Sequence, residues 1–146
     1  MKALVLTLLF LLMAPSEAKI FSRCELASVL KQHGLDTYTG ELDLWICISY
    51  YASKYNTQAV NRQKNYRSRY YGIFQLSSYR WCSDNHEGMD SSCGKPCSAF
   101  TDDDITDDIA CAKLIMANHV PFYQWWPWTK NCRGPNMSNW SSGCKL

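Results

Sequence analysis

Five carboxylates are packed into seven residues at Asp102, Asp103, Asp104, Asp107 and Asp108. Like charges at that spacing repel one another. Their oxygens are hard donors of the kind Ca²⁺ gathers, about six to eight at a time, from carboxylates and backbone carbonyls. The run is not an EF-hand, because the alternating ligands and central Gly of that loop are absent. Asp at a helix start also complements the helix dipole. Five acids exceed what a cap requires, so the pattern points to a structural calcium site.

The formal net charge of +2 hides a division along the chain. Residues 44–83 contain no Asp or Glu, while Lys54, Arg62, Lys64, Arg67, Arg69 and Arg80 contribute +6. In residues 84–108 the eight acids Asp84, Glu87, Asp90 and the five of the run face only Lys95. Such asymmetry produces a surface dipole. Arg62, Arg67, Arg69 and Arg80 suit anionic glycans or surfaces, or else form a solvated basic face. A balance of +2 gives no reason to expect a nucleic-acid partner.

The eight cysteines, Cys24, Cys47, Cys82, Cys93, Cys97, Cys111, Cys132 and Cys144, all follow residue 18. Behind an export signal an even count implies a disulfide framework. Counting alone leaves about a hundred pairings open. Zinc is disfavoured, because no paired Cys-x-x-Cys occurs and His33, His86 and His119 are dispersed into surface or packing roles. The export signal is residues 1–18: Lys2, an apolar run, and small residues Ser16 and Ala18 at the cleavage positions. That run is too short to span a bilayer and no later one is apolar enough, so an extracellular protein without a transmembrane segment is expected. Asn136-Met137-Ser138 and Asn139-Trp140-Ser141 fit the N-glycosylation sequon.

Residues 19–146 are long enough to form one domain with a core. Ser22 followed by Glu25 reads as a capping box opening a helix that stops at Gly34. Asp43 is placed to cap a second helix, over 44–53. Residues 102–104 are placed to open a third, through Ile109, Cys111, Ala112, Leu114 and Ile115. Between them, Tyr70-Tyr71-Gly72-Ile73-Phe74-Gln75-Leu76 reads as a short strand and turn. The fold class is therefore α+β, mostly helical, with a small β element in the middle.

Several stretches carry a family resemblance: Lys19-Ile20-Phe21-Ser22-Arg23-Cys24-Glu25-Leu26-Ala27, Tyr55-Asn56-Thr57-Gln58-Ala59, Tyr71-Gly72-Ile73-Phe74-Gln75, Trp81-Cys82-Ser83-Asp84-Asn85 and the ending Gly143-Cys144-Lys145-Leu146. Together with the cysteine pattern they resemble the C-type lysozymes and α-lactalbumins, glycoside hydrolase family 22. The resemblance implies a helical lobe and a small β lobe flanking a cleft. It implies bridges Cys24–Cys144, Cys47–Cys132, Cys82–Cys97 and Cys93–Cys111. Retaining glycosidases need one carboxylic acid and a second carboxylate flanking the scissile bond. The family's acid maps onto Ala52 and its second carboxylate onto Tyr70, so both are lost. With no acid in residues 44–83, only Glu41, Asp43, Asp84 and Glu87 flank the gap. Family sugar contacts map onto Gln75, Trp81 and Trp125, while Ser77 and Arg80 replace an Asn and an aromatic. Trp125, Trp126 and Trp128 are also suited to filling core.

The acidic run resembles the family's calcium loop. Asp102, Asp107 and Asp108 would supply side-chain oxygens, and Ala99 and Asp104 backbone carbonyls. The functions implied are, first, a secreted, monomeric calcium-binding protein without muramidase activity, whose cleft takes a glycan or a secreted or cell-surface glycoprotein. Alternatives are a bacteriolytic lysozyme or antibacterial protein, and an α-lactalbumin-like regulator of a glycosyltransferase.

Overall fold

A computed structural model describes residues 19–36, 41–62, 68–84, 91–117, 125, 130–132 and 139–146. The expected leader, Lys64, Arg67, His86, Glu87, His119, Trp126, Trp128 and Asn136 lie outside these residues.

Helix α1 spans Arg23–Gln32, and its start follows local capping chemistry: the Ser22 hydroxyl accepts from the Glu25 N–H at 3.3 Å. Leu26, Ala27 and Leu30 form its buried stripe. Helix α2 spans Glu41–Ser53 and buries Trp45, Ile46, Cys47, Ile48, Ser49 and Ala52, nearly all round, as a central core helix does. It starts earlier than expected, and Asp43 is not its cap. The Asp43 carboxylate instead accepts from the Ser141 N–H at 2.6 Å, a tie across the molecule that outcompetes the local role. Helix α3 spans Thr106–Ala117, so residues 102–104 precede it rather than open it.

The β part is a three-stranded antiparallel sheet of β1 (Val60–Arg62), β2 (Arg69–Tyr71) and β3 (Leu76–Ser77). Gly72, at φ +80°, begins the turn between β2 and β3. A second, two-stranded parallel pair, β4 (Cys82–Ser83) with β5 (Lys95–Pro96), leads into a 3₁₀ turn at Cys97–Phe100. This pair had no sequence signal, since two-residue strands carry too few residues to show a period.

The helical and β parts meet at Trp45. Its ring lies 5.3 Å from Phe74 and 4.9 Å, edge-on, from Trp125, whose Nε1 donates to the Phe74 carbonyl at 2.8 Å. The Ser53 hydroxyl, at the end of α2, donates to the Ile73 carbonyl at 2.8 Å. Helix α2 therefore holds the β2–β3 turn directly. The four disulfides join Cys24 to Cys144, Cys47 to Cys132, Cys82 to Cys97 and Cys93 to Cys111, as the resemblance implied. The last ties the start of β5 to α3 and encloses the acidic run. Among the described residues no helix is long and apolar enough to cross a membrane.

Candidate functional site

Two groups of residues were singled out by type and spacing, and the fold treats them differently. In the acidic run the five carboxylates no longer resemble one another. Asp104 accepts from the Thr106 N–H at 3.0 Å, and hydrogen bonding by Thr106, first from its side chain and then from its backbone, holds the Asp104 carboxyl below the usual range. The Asp107 Oδ1 faces the Lys95 ammonium at 3.8 Å, in a half-exposed pair. Asp103 is exposed. Asp108 is wholly buried, and neither of its oxygens has a hydrogen-bond partner. Burial, with Asp102, Asp107 and Asp104 near, pushes its carboxyl well above the usual range. The Asp102 Oδ1 is likewise buried and unpartnered, and burial followed by Asp104 raises that group.

Buried carboxylate oxygens without partners carry a large desolvation cost. Glycine makes their position possible. A Cβ on Gly72 would lie 2.0 Å from the Phe100 carbonyl oxygen and 2.7 Å from the Asp108 Oδ2. The turn backbone of the sheet therefore rests on the buried carboxylate. Among the described residues, no three His, Cys, Asp or Glu side chains are already gathered in a metal-ligand cluster.

At the expected catalytic positions, Ala52 is 6% exposed on α2 and Tyr70 is half-buried at the middle of β2. The flanking acids have other partners: Glu41 accepts from Trp45 Nε1 at 3.5 Å, Asp43 from Ser141, and Asp84 from the Tyr71 hydroxyl at 3.1 Å. The three expected sugar contacts are all buried. Gln75 donates to the Ala59 and Gly72 carbonyls at 3.0 and 2.9 Å and accepts from Asn61 Nδ2 at 2.7 Å. Trp125 is fully buried, and Trp81 is 3% exposed with the Arg80 guanidinium 5.4 Å from its ring. Asn139, of the second sequon, is exposed.

Residues 19–144 match the C-type lysozyme/alpha-lactalbumin family. The chain belongs to that family. It is similar to a canine "Lysozyme C, milk isozyme", at 43% identity over 88% of this chain and 100% of that protein. It is also similar to the murine "Lysozyme-like protein 1", at 42% identity over 90% of this chain and 88% of the relative. The human "Lysozyme-like protein 2" is 40% identical over 97% of this chain and 96% of its own length. The helices, small sheets and four disulfides agree with the C-type lysozyme fold.

Sequence reasoning missed one cluster in this lysozyme-like chain. Tyr50 and Tyr51, 39% and 41% exposed, pack edge-on at 5.1 Å, and the Trp140 ring lies 5.6 Å from Tyr50. Tyr55 joins at 5.7 Å from Tyr50. The i, i+1 pair gave no periodic signal, and Trp140 arrives from the other end of the chain through the Cys24–Cys144 bridge.

Proposed function

We propose that this chain is a secreted, calcium-binding, lysozyme-like protein without muramidase activity. The observation that carries the reading is Asp108, a fully buried carboxylate with both oxygens unpartnered, beside the similarly orphaned Asp102 Oδ1. A divalent cation supplies the missing counter-charge, and Ca²⁺ favours an all-oxygen donor set. Asp102, Asp107 and Asp108 would contribute side-chain oxygens, and Ala99 and Asp104 carbonyls. Asp107 would exchange its long pair with Lys95 for the ion. The role is structural, tying the loop closed by Cys93–Cys111 to the sheet turn at Gly72. The absence of activity rests on Ala52 and Tyr70 and on the commitments of Glu41, Asp43 and Asp84. Export is supported by residues 1–18 and by four disulfides, which persist in oxidising compartments.

Calorimetric titration of EDTA-stripped protein with CaCl₂ tests the ion. One saturable site is expected, and no binding at millimolar Ca²⁺ would sink the reading. Peptidoglycan turnover tests the second half: release of soluble fragments above a no-enzyme control would show that hydrolysis survives.

A further inference from the structure

Asn139-Trp140-Ser141 fits the N-glycosylation sequon, and the fold fixes each of its three residues. The Asn139 carbonyl accepts from the Ser142 N–H at 3.2 Å, and the Trp140 carbonyl accepts from the Arg23 guanidinium at 2.5 Å. The Ser141 N–H donates to Asp43 at 2.6 Å. The Cys24–Cys144 bridge ties the same turn to the start of α1. Held in this way, the first two residues meet different surroundings. Trp140 packs partly buried against the core, whereas Asn139 is exposed.

Trp140 is also the member of the sequon that reaches the exposed aromatic cluster. Its ring lies 5.6 Å from Tyr50 and 6.1 Å from Tyr51, and both tyrosines are exposed. The two tyrosines are neighbours near the end of α2, so this surface is assembled from distant parts of the chain. Consecutive Cα atoms are only about 3.8 Å apart, so a group carried by Asn139 starts beside the Trp140 end of the cluster. An N-acetylglucosamine offers an apolar C–H face and an acetyl methyl to aromatic rings, and its hydroxyls to water.

We propose that Asn139 is N-glycosylated and that the first sugar of the glycan rests on Trp140 and Tyr51. The donor class is an oligosaccharide carried on a lipid pyrophosphate. The Asn139 amide nitrogen bonds to C1 of the first N-acetylglucosamine as the C1–O bond to phosphate breaks. The lipid pyrophosphate leaves with that electron pair and takes up the amide proton. The attached sugar then shields aromatic surface that the polypeptide leaves open, which is the solubilising role of such a group. Modification depends on the export proposed above, because the donor is met only along that route.

The full chain is expressed in a secreting animal cell line that leaves high-mannose glycans, and is purified from the medium. Release of the glycan by peptide-N-glycosidase in heavy-oxygen water labels the modified residue, and peptide mass spectrometry should place the label on Asn139. Ser141→Ala, which keeps the backbone bond to Asp43, should lose that label. A second sample is trimmed to a single sugar with an endoglycosidase. Its acetyl methyl should show NOEs to ring protons of Trp140 and Tyr51, and its Tm should exceed that of Ser141→Ala by about 2–5 °C. In a Tyr51→Ala background, which keeps the sequon, the Tm loss caused by Ser141→Ala should fall by at least about half. Exported protein without a label on Asn139, including protein labelled at Asn136 alone, would overturn the proposal and leave export standing. A chain kept in the cytosol with residues 1–18 attached would overturn both. A glycan on Asn139 with no NOE to either ring, or with the Tm of Ser141→Ala, would overturn its placement on the cluster.

Discussion

Asp108→Asn removes one charge from the centre of the acidic loop and changes its shape hardly at all. Three buried carboxylate oxygens there lack partners, the two of Asp108 and one of Asp102. An unsatisfied buried polar atom costs about 1–3 kcal/mol, and more when charged, so roughly 3–9 kcal/mol is stored in the ion-free loop. On the proposed reading, a bound cation would relieve part of it. At a free concentration about a hundred times its Kd, mass action alone adds about 2.7 kcal/mol. For a domain of this size each kcal/mol moves Tm by about 3–5 °C, so excess Ca²⁺ should raise the Tm of EDTA-stripped protein by roughly 8–14 °C. The assay is differential scanning calorimetry of wild type and variant, each with EDTA and with excess Ca²⁺. In EDTA, Asp108→Asn should melt at or above the wild type, because a neutral amide is cheaper to bury than an unpaired carboxylate. With Ca²⁺ it should gain less than about 2 °C. The reasoning is refuted if wild-type Tm does not respond to Ca²⁺, or if the variant keeps the full response.

Gly72→Ala should destabilise the protein by about 2–5 kcal/mol in urea titration, combining a left-handed backbone with a Cβ 2.0 Å from the Phe100 oxygen. Tyr55, pushed up to about 12 chiefly by burial, should give a late step in ultraviolet titration that disappears in Tyr55→Phe. Because its folded value is raised, stability from this group is present below about 10 and lost as pH climbs towards about 12; Tyr55→Phe should flatten that loss. At neutral pH the same variant should be unchanged or up to about 1 kcal/mol more stable by urea titration, since it removes a buried hydroxyl without a partner. Ala52→Glu with Tyr70→Asp should give measurable peptidoglycan turnover, whereas either single change should give none, because the mechanism needs both carboxyls.

Much of the fold was legible where the determinants are local. Ser22 and Glu25 marked the start of α1 because a cap is made by neighbours in sequence. The pattern around Tyr70 to Leu76 marked a strand and turn because alternation and Gly72 act within a few residues. Asp43 misled for the converse reason: its side chain has a choice of partners, and the one that wins, Ser141, lies ninety-eight residues away. Trp125 was legible as a core filler as well as a sugar contact, and it is buried; Gln75 was legible as a residue type but not as a buried one. Whether an amide or an indole meets solvent depends on what covers it: Ala59, Gly72 and Asn61 take the polar atoms of Gln75, and Phe74 takes the indole N–H of Trp125.

The acidic run shows where the two sources of information divide. Composition alone established that five carboxylates in seven residues must be neutralised, since their repulsion follows from proximity in the chain. It also established that residues 44–83 hold no acid. Which Asp bears the burden was decided only in three dimensions. Thr106 claims Asp104 and Lys95 faces Asp107, whereas the turn at Gly72 and the Phe100 carbonyl close over Asp108 and exclude water from it. Desolvation and pairing depend on what surrounds a group in space, and identical side chains a few residues apart are made different by contacts that the chain brings from elsewhere.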